Sequence, residues 1–163
     1  MLLLFPDEIP ADVRYLLARP GKGGQASARG PLVRMPVAAG QRPLAVLGEG
    51  DKLHLAARGS DADVAGHPPE ELVALLESLG LPRDVRVKQI HLIVDDTGFT
   101  YAERFARALA AHGFRVREIK APRGKVTWDE HGKVHVMVDG AWQPSNKTLN
   151  TYAGPEVQEK HRH

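Results

Sequence analysis

The sequence predicts an α/β fold: a single-domain sandwich with a central, mostly parallel sheet and flanking helices. Ile90, Leu92, Ile93 and Val94 form a near-continuous apolar run, the pattern of a strand covered on both faces. Two segments with helical apolar spacing lie between strands, one carrying Leu72, Leu75, Leu76 and Leu79, the other Ala102, Phe105, Ala106 and Leu109. Strands joined through helices pair most simply in parallel, with right-handed crossovers. The chain has 163 residues, 42% of them apolar, which is the size of one domain able to bury a core without covalent staples.

Residues 1–42 read as an N-terminal extension. Val13–Leu17 suits a short helix or strand, while Pro20-Gly21-Lys22-Gly23-Gly24 and Ala28-Arg29-Gly30-Pro31 are breaker-rich and predict a mobile surface loop. Gly21–Gly24 lacks the spacing of a phosphate loop. Residues 43–144 read as the α/β core. Leu44–Leu47 and Lys52–Ala57 flank Gly48-Glu49-Gly50-Asp51, which predicts two strands joined by a tight turn. Pro69–Leu79 is a helix, with proline in its first turn and Gly80 at its end. Val87–Val94 is the central strand and stops at Asp95-Asp96-Thr97-Gly98. The second helix runs from about Thr100 to Ala111 and ends at Gly113, where glycine suits the helix exit.

Phe114–Ile119 is the next strand, and Lys125–Trp128 with Lys133–Val138 form a hairpin around Glu130-His131-Gly132. Asp139-Gly140 turns the chain toward Trp142, and Trp128 and Trp142 are expected to close one side of the sheet. Residues 145–163 read as a polar C-terminal tail, surface-lying or disordered.

Composition narrows the chemistry. With no cysteine, disulfides, thiolate metal sites, iron-sulfur ligation and cysteine nucleophiles are excluded. Twenty-two Lys and Arg against twenty Asp and Glu give +2, so the pI of 9.0 describes a nearly balanced surface. Met1–Leu4, followed by Phe5-Pro6-Asp7-Glu8, is too short and too soon interrupted by acid for an export signal or a membrane span. The expected location is the cytoplasm, or the outside by a route without a classical leader. No cofactor is implied, and the oligomeric state is open.

In an open parallel sheet, ligands meet the carboxyl ends of the strands. These ends carry Arg58-Gly59-Ser60, Asp95-Asp96-Thr97-Gly98 and Ala121-Pro122-Arg123-Gly124. The segment Ile90–Gly98, followed by Phe105-Ala106 and Leu109-Ala110, resembles the caspase-like cysteine peptidases of clan CD, especially the self-processing domains of large bacterial toxins. In that pattern the strand ends in the nucleophilic cysteine, a position that Asp95 fills here. Lys52–Gly59 is similar to the strand that ends in the catalytic His-Gly, with Arg58 at the histidine position; Gly66 and Pro69–Leu79 are similar to the glycine and helix that follow. Ala121–Val126 resembles the Ala-Pro-x-Gly-x-Val strand of related sequences, so the resemblance spans roughly Pro43 to Trp142.

The resemblance implies a caspase-like fold with both catalytic positions replaced. Cysteine catalysis needs a thiolate and a positioned base, and this chain has neither at those positions. The function expected first is therefore a catalytically inactive caspase-like domain that binds another protein or regulates a complex, related to a toxin or effector. Its vestigial cleft would comprise Arg58, Gly59, Ser60, Asp95, Asp96, Thr97 and Arg123.

Within that cleft, Arg58 and Asp95 could form a fork-to-carboxylate pair, Arg58 could hold an anionic ligand, or Asp95 could serve as a cap. A second reading is a hydrolase using His67 with Asp95 or Asp96 as acid and base. A third is an anion- or nucleic-acid-binding module using Arg115, Arg117, Lys120, Arg123 and Lys125, for which a solvated basic edge is the ordinary explanation. Asp95-Asp96 as a metal site ranks below a turn-and-cap role, and Thr97 and Thr100 read as helix caps. His54 and His91 read as packing residues within strands, His112 as a helix-end residue, and His131 with His135 as too few ligands for zinc.

Overall fold

The computed structural model describes residues 1–4, 11–18, 32–144 and 149–153. The Gly/Pro-rich loop predicted between Pro20 and Pro31 lies outside the described residues, as do Ser145–Thr148 and Glu156–His163 of the predicted tail. The larger sheet contains β1 (Leu2–Leu4), β2 (Val33–Arg34), β3 (Lys52–Ala57), β4 (Arg86–Ile93), β5 (Arg115–Pro122) and β9 (Leu149–Ala153), in the order β2-β1-β3-β4-β5-β9. All neighbours pair in parallel except β9, which runs antiparallel to β5. A smaller antiparallel sheet contains β6 (Val126–Trp128), β7 (Val134–Val138) and β8 (Ala141–Pro144).

The predicted α/β sandwich, with its central mostly parallel sheet and flanking helices, is therefore present. Helices α2 (Pro69–Ser78) and α3 (Tyr101–Ala111) occupy the two crossovers β3-α2-β4 and β4-α3-β5, and both bury their stripes on one face of the sheet. Leu72, Leu76, Phe105 and Leu109 meet Leu55, Ile90, Leu92 and Ile119 there, all fully buried. Strand alternation sends the intervening side chains to the opposite face. On that face Leu3, Ala56 and Ile93 are covered by Val13, by Leu16 of α1 (Arg14–Ala18) and by Val134 of the small sheet.

The same face turns polar toward the amino ends of the strands. The register His54↔His91↔Lys120 sets one polar row across β3, β4 and β5, beside the row Lys52↔Gln89↔Glu118. His54 and His91 stack edge to face, with ring centroids 5.4 Å apart, and Gln89 and His91 are only 5% and 6% exposed. The packing role expected for the two histidines fits this arrangement.

Four local expectations change. Pro43–Val46 forms a 3-10 turn rather than a strand: Pro43 sits in its first turn, where its fixed φ favours helical geometry, and Leu44 N donates to Leu79 O, docking the turn onto the end of α2. The amino-terminal extension supplies β1 and β2, and Leu149–Ala153 of the predicted tail supplies β9, so segments on both flanks of the core take part in the sheet. β9 also covers β5 from Glu118 to Pro122, so Lys120 lies within the sheet, while Arg115 and Arg117 lie beyond the β9 pairing. Trp128 is half-buried against the second core and its Nε1 donates to Asp12 O, whereas Trp142 stays 47% exposed.

Candidate functional site

Order β2-β1-β3 reverses the direction in which the sheet is built, and α1 lies on the face opposite α2 and α3. Helices diverging to opposite faces open a crevice at the carboxyl ends of the two central strands. Here those strands are β1 and β3, and Arg58 follows β3 directly. β3 and β4 are adjacent and parallel, with Ala56 opposite Ile93, so Arg58 and Asp95 leave neighbouring strand ends at the same level.

They do not pair. Asp95 Oδ1 accepts a hydrogen bond from Val126 N at 2.8 Å, and its Oδ2 lies 4.0 Å from Lys125 Nζ. Asp96 adopts a left-handed backbone with φ 60°; its N–H donates to Gly124 O, and its Oδ2 accepts from Lys125 Nζ at 3.0 Å. Hydrogen bonding to Asp96 and the charges of Asp96 and Asp95 hold the Lys125 ammonium above its ordinary range.

Gly98 N donates to Pro122 O at 2.7 Å, and Arg123 Nε donates back to Gly98 O at 3.2 Å. The acidic turn at the end of β4 is thus sewn to the Pro122–Val126 corner between β5 and β6. An Arg58–Asp95 fork is replaced by an Asp95–Val126 main-chain link because β6 delivers a free N–H onto the sheet face toward which Asp95 projects.

The helix caps also differ from expectation. Thr100 stands at the N-cap of α3 without a side-chain capping bond, and Thr97 Oγ1 donates to Val94 O inside the turn. The cap comes from Asp61, in the loop after β3. Its Oδ1 accepts from Thr100 N at 2.8 Å and from Tyr101 N at 2.9 Å, and its Oδ2 accepts a very short bond from Thr100 Oγ1. Partial burial works to raise the Asp61 carboxyl, but the bonds from Thr100 and Tyr101 and the charge of Arg104 outweigh it and hold the group below its ordinary range. This carboxylate fills the positive end of α3, the place an anionic ligand would otherwise take.

Tyr101 closes the loop from beneath. Its hydroxyl donates to His67 O at 2.9 Å, and burial, followed by the charge of Asp63, pushes the phenol well above its usual value. Tyr101→Phe is expected to lower stability by about 1 kcal/mol, the ordinary net worth of one buried hydrogen bond, as a shift in the urea midpoint at an unchanged slope.

The remaining candidates separate by location. Gly59 is required by close packing: a Cβ there would meet Asp63 O and lie 2.8 Å from Val94 Cγ1. Ser60 is a turn residue, with Oγ accepting from Ala62 N and its own N–H donating to Asp63 O. Arg58 is exposed, and no acid pairs with it among the described residues. His67 Nδ1 lies 3.8 Å from Glu71 Oε2, while Asp95 and Asp96 share Lys125, so the residues of the hydrolase reading have separate charge partners. Among the described residues, no group of three or more His, Asp or Glu is placed to hold a metal ion.

His112 sits between Glu70 and Glu77, tying α3 to α2. His135 meets Asp129 at 3.3 Å within the hairpin. Arg115 and Arg117 are exposed near the amino end of β5, at the opposite end of that strand from Arg123.

Sequence reasoning missed Asp61 and the specific role of Lys125. Asp61 lies in a Ser-Asp-Ala-Asp turn with the composition of any surface loop, and nothing local ties it to a helix that begins forty residues later. Lys125 is visible only as one more charge in a basic run. No helix among the described residues is long and apolar enough to cross a membrane. No protein-family model matches this chain, and no curated protein matches it.

Proposed function

We propose that this chain is a catalytically inactive caspase-like domain that acts by binding another protein. The support for the caspase-like part is the succession β3-α2-β4-α3-β5, which brings the ends of the two resembling strands side by side, together with the lack of any cysteine. The observation that carries the reading is how the strand-end acids are used. Asp95 and Asp96 hold the β5–β6 corner through Val126 N and Lys125 Nζ, and His67 keeps company with Glu71. His67, Asp95 and Asp96 thus have separate partners, whereas acid-base hydrolysis through them requires the groups to converge on a common space. Arg58, exposed beside the switch between β1 and β3, offers an unspent guanidinium fork suited to a carboxylate.

The test pairs activity with binding. The full chain, incubated with pooled fluorogenic peptide substrates, is expected to release no product. A turnover that disappears in Asp95→Asn or Asp96→Asn would instead establish a hydrolase. In parallel, partners captured on the immobilised chain should be held about tenfold more weakly by Arg58→Glu, the loss typical of a central interface arginine. Equal capture by both proteins would remove the cleft from the binding surface.

A further inference from the structure

Two of the four large apolar side chains that remain exposed among the described residues are Phe99 at 48% and Trp142 at 47%. Phe99 follows Gly98 in the turn after β4, and the Arg123 guanidinium lies 5.9 Å from its ring centre. On the other side, Met137 N donates to Lys125 O at 2.9 Å, and Met137 is the register partner of Trp142 across β7 and β8. Val134 and Val136 face the protein interior, so alternation turns Met137, and Trp142 opposite it, outward. Phe99 and Arg123 thus lie together at the turn, and the main-chain succession Arg123, Lys125, Met137, Trp142 leads from them across the small sheet as the rim of this corner.

Its residue types are those enriched where proteins bind: aromatics, methionine and arginine. Its charges divide unequally. Lys125 is occupied by Asp96 and Asp95, whereas no acid pairs with Arg123 among the described residues, its Nε alone being used on Gly98 O. Beyond that bond the guanidinium retains donors not used on any acid among the described residues, and a guanidinium offers a planar fork that suits a carboxylate.

We infer that this rim is the docking surface for a carboxylate-bearing segment of another polypeptide, whose Asp or Glu meets Arg123 and whose apolar side chains lie against Phe99 and Trp142. The inference rests on the protein-binding reading above and adds to the Arg58 contact a second, separate docking surface at the β5–β6 corner. Arg123 and Trp142 are its anchors. Neither is needed to seal the core: Trp142 stands on the outer face of the small sheet, and Arg123 is exposed.

The experiment selects random short peptides displayed on phage against the immobilised full chain, then measures synthetic copies of the enriched peptides by fluorescence anisotropy. Enriched peptides should carry Asp or Glu close to an aromatic or aliphatic residue. They should bind about tenfold more weakly to Arg123→Glu and to Trp142→Ala, the loss expected of interface anchors, and with unchanged affinity to Arg58→Glu. Phe99→Ala serves as a third variant should Arg123→Glu disturb the Gly98 turn, and far-ultraviolet circular dichroism checks each fold.

No enrichment above the random library overturns the inference. Peptides that ignore Arg123→Glu and Trp142→Ala but are lost on Arg58→Glu overturn the rim while leaving the protein-binding reading intact. Binding of labelled oligothymidylate through the rim, with no peptide enriched, replaces the polypeptide partner by single-stranded nucleic acid and overturns it equally.

Discussion

Gly98→Ala is expected to be severely damaging, lowering stability by roughly 3 to 5 kcal/mol or preventing folding at 37 °C. A Cβ on Gly98 would lie 2.7 Å from both Ala121 O and Pro122 O and 2.8 Å from the Pro122 carbonyl carbon. These are main-chain atoms of β5 and cannot swing aside as a side chain could. Relief requires the turn to lift away from β5, which would break the Gly98 N to Pro122 O bond and draw on the Asp96–Gly124 and Asp95–Val126 links beside it. The matched control is Gly48→Ala, whose nearest neighbour, Asp51 Oδ2, would stand at 3.6 Å, an ordinary contact. That variant should stay within about 0.5 kcal/mol of the wild type. Urea denaturation of both decides the point. Equal midpoints for the two variants would mean that the turn is not held against β5 as described.

Asp61→Ala is the second large effect, expected to lower stability by about 2 kcal/mol at pH 7. One side chain supplies the acceptors for Thr100 N, Tyr101 N and Thr100 Oγ1, so its removal leaves the first turn of α3 with unpaired donors and separates the loop after β3 from the helix. The sign of the pH dependence follows from the lowered carboxyl. A carboxylate whose folded value lies below its unfolded one contributes its full stability above the unfolded value, near pH 4, and loses it as pH falls through the folded value. Wild type minus Asp61→Asn should therefore show a stability difference that is constant between about pH 5 and 7 and shrinks as the pH falls below about 4. Urea midpoints measured across that range test it. A difference that is flat through the acid range would show that Asp61 holds the helix without its charge.

The elements that could be read from the sequence are those whose signal is local and repeated. The stripe Leu72, Leu76 and the stripe Phe105, Leu109 mark α2 and α3 because helical spacing must deliver a continuous apolar face. Ile90–Ile93 marks β4 because only a strand covered on both sides tolerates such a run. The β6–β7 hairpin follows from two β-prone runs closing on Asp129–Gly132, where Asp129 Oδ1 accepts from both His131 N and Lys133 N. The 3-10 turn at Pro43–Val46 was misread because Leu-Ala-Val-Leu has strand composition, and the docking of Leu44 N on Leu79 O is a contact across 35 residues. β1 was hidden for a related reason: three leucines at a chain start carry no periodicity, and their place between β2 and β3 is set by pairing alone.

The candidate site shows the same division. Arg58 and Asp95 were legible as the ends of two strands, and their adjacency follows once β3 and β4 pair in parallel. Their partners were not legible. Asp95 meets Val126 N, Asp96 meets Lys125, and Asp61 meets Thr100 and Tyr101, each across some thirty to forty residues.

The sequence by itself determined the α/β class, the succession of strand and helix through the core, and the impossibility of thiol chemistry, because apolar period and residue inventory are properties of the chain read locally. Only the tertiary structure decided which acids are spent on holding the turns, that Leu2–Leu4 and Leu149–Ala153 enter the sheet, and that Arg123 comes to lie against Phe99. Hydrogen bonds and charge pairs are satisfied in space by whichever donor the packed elements bring near, and spacing along the chain does not encode that choice.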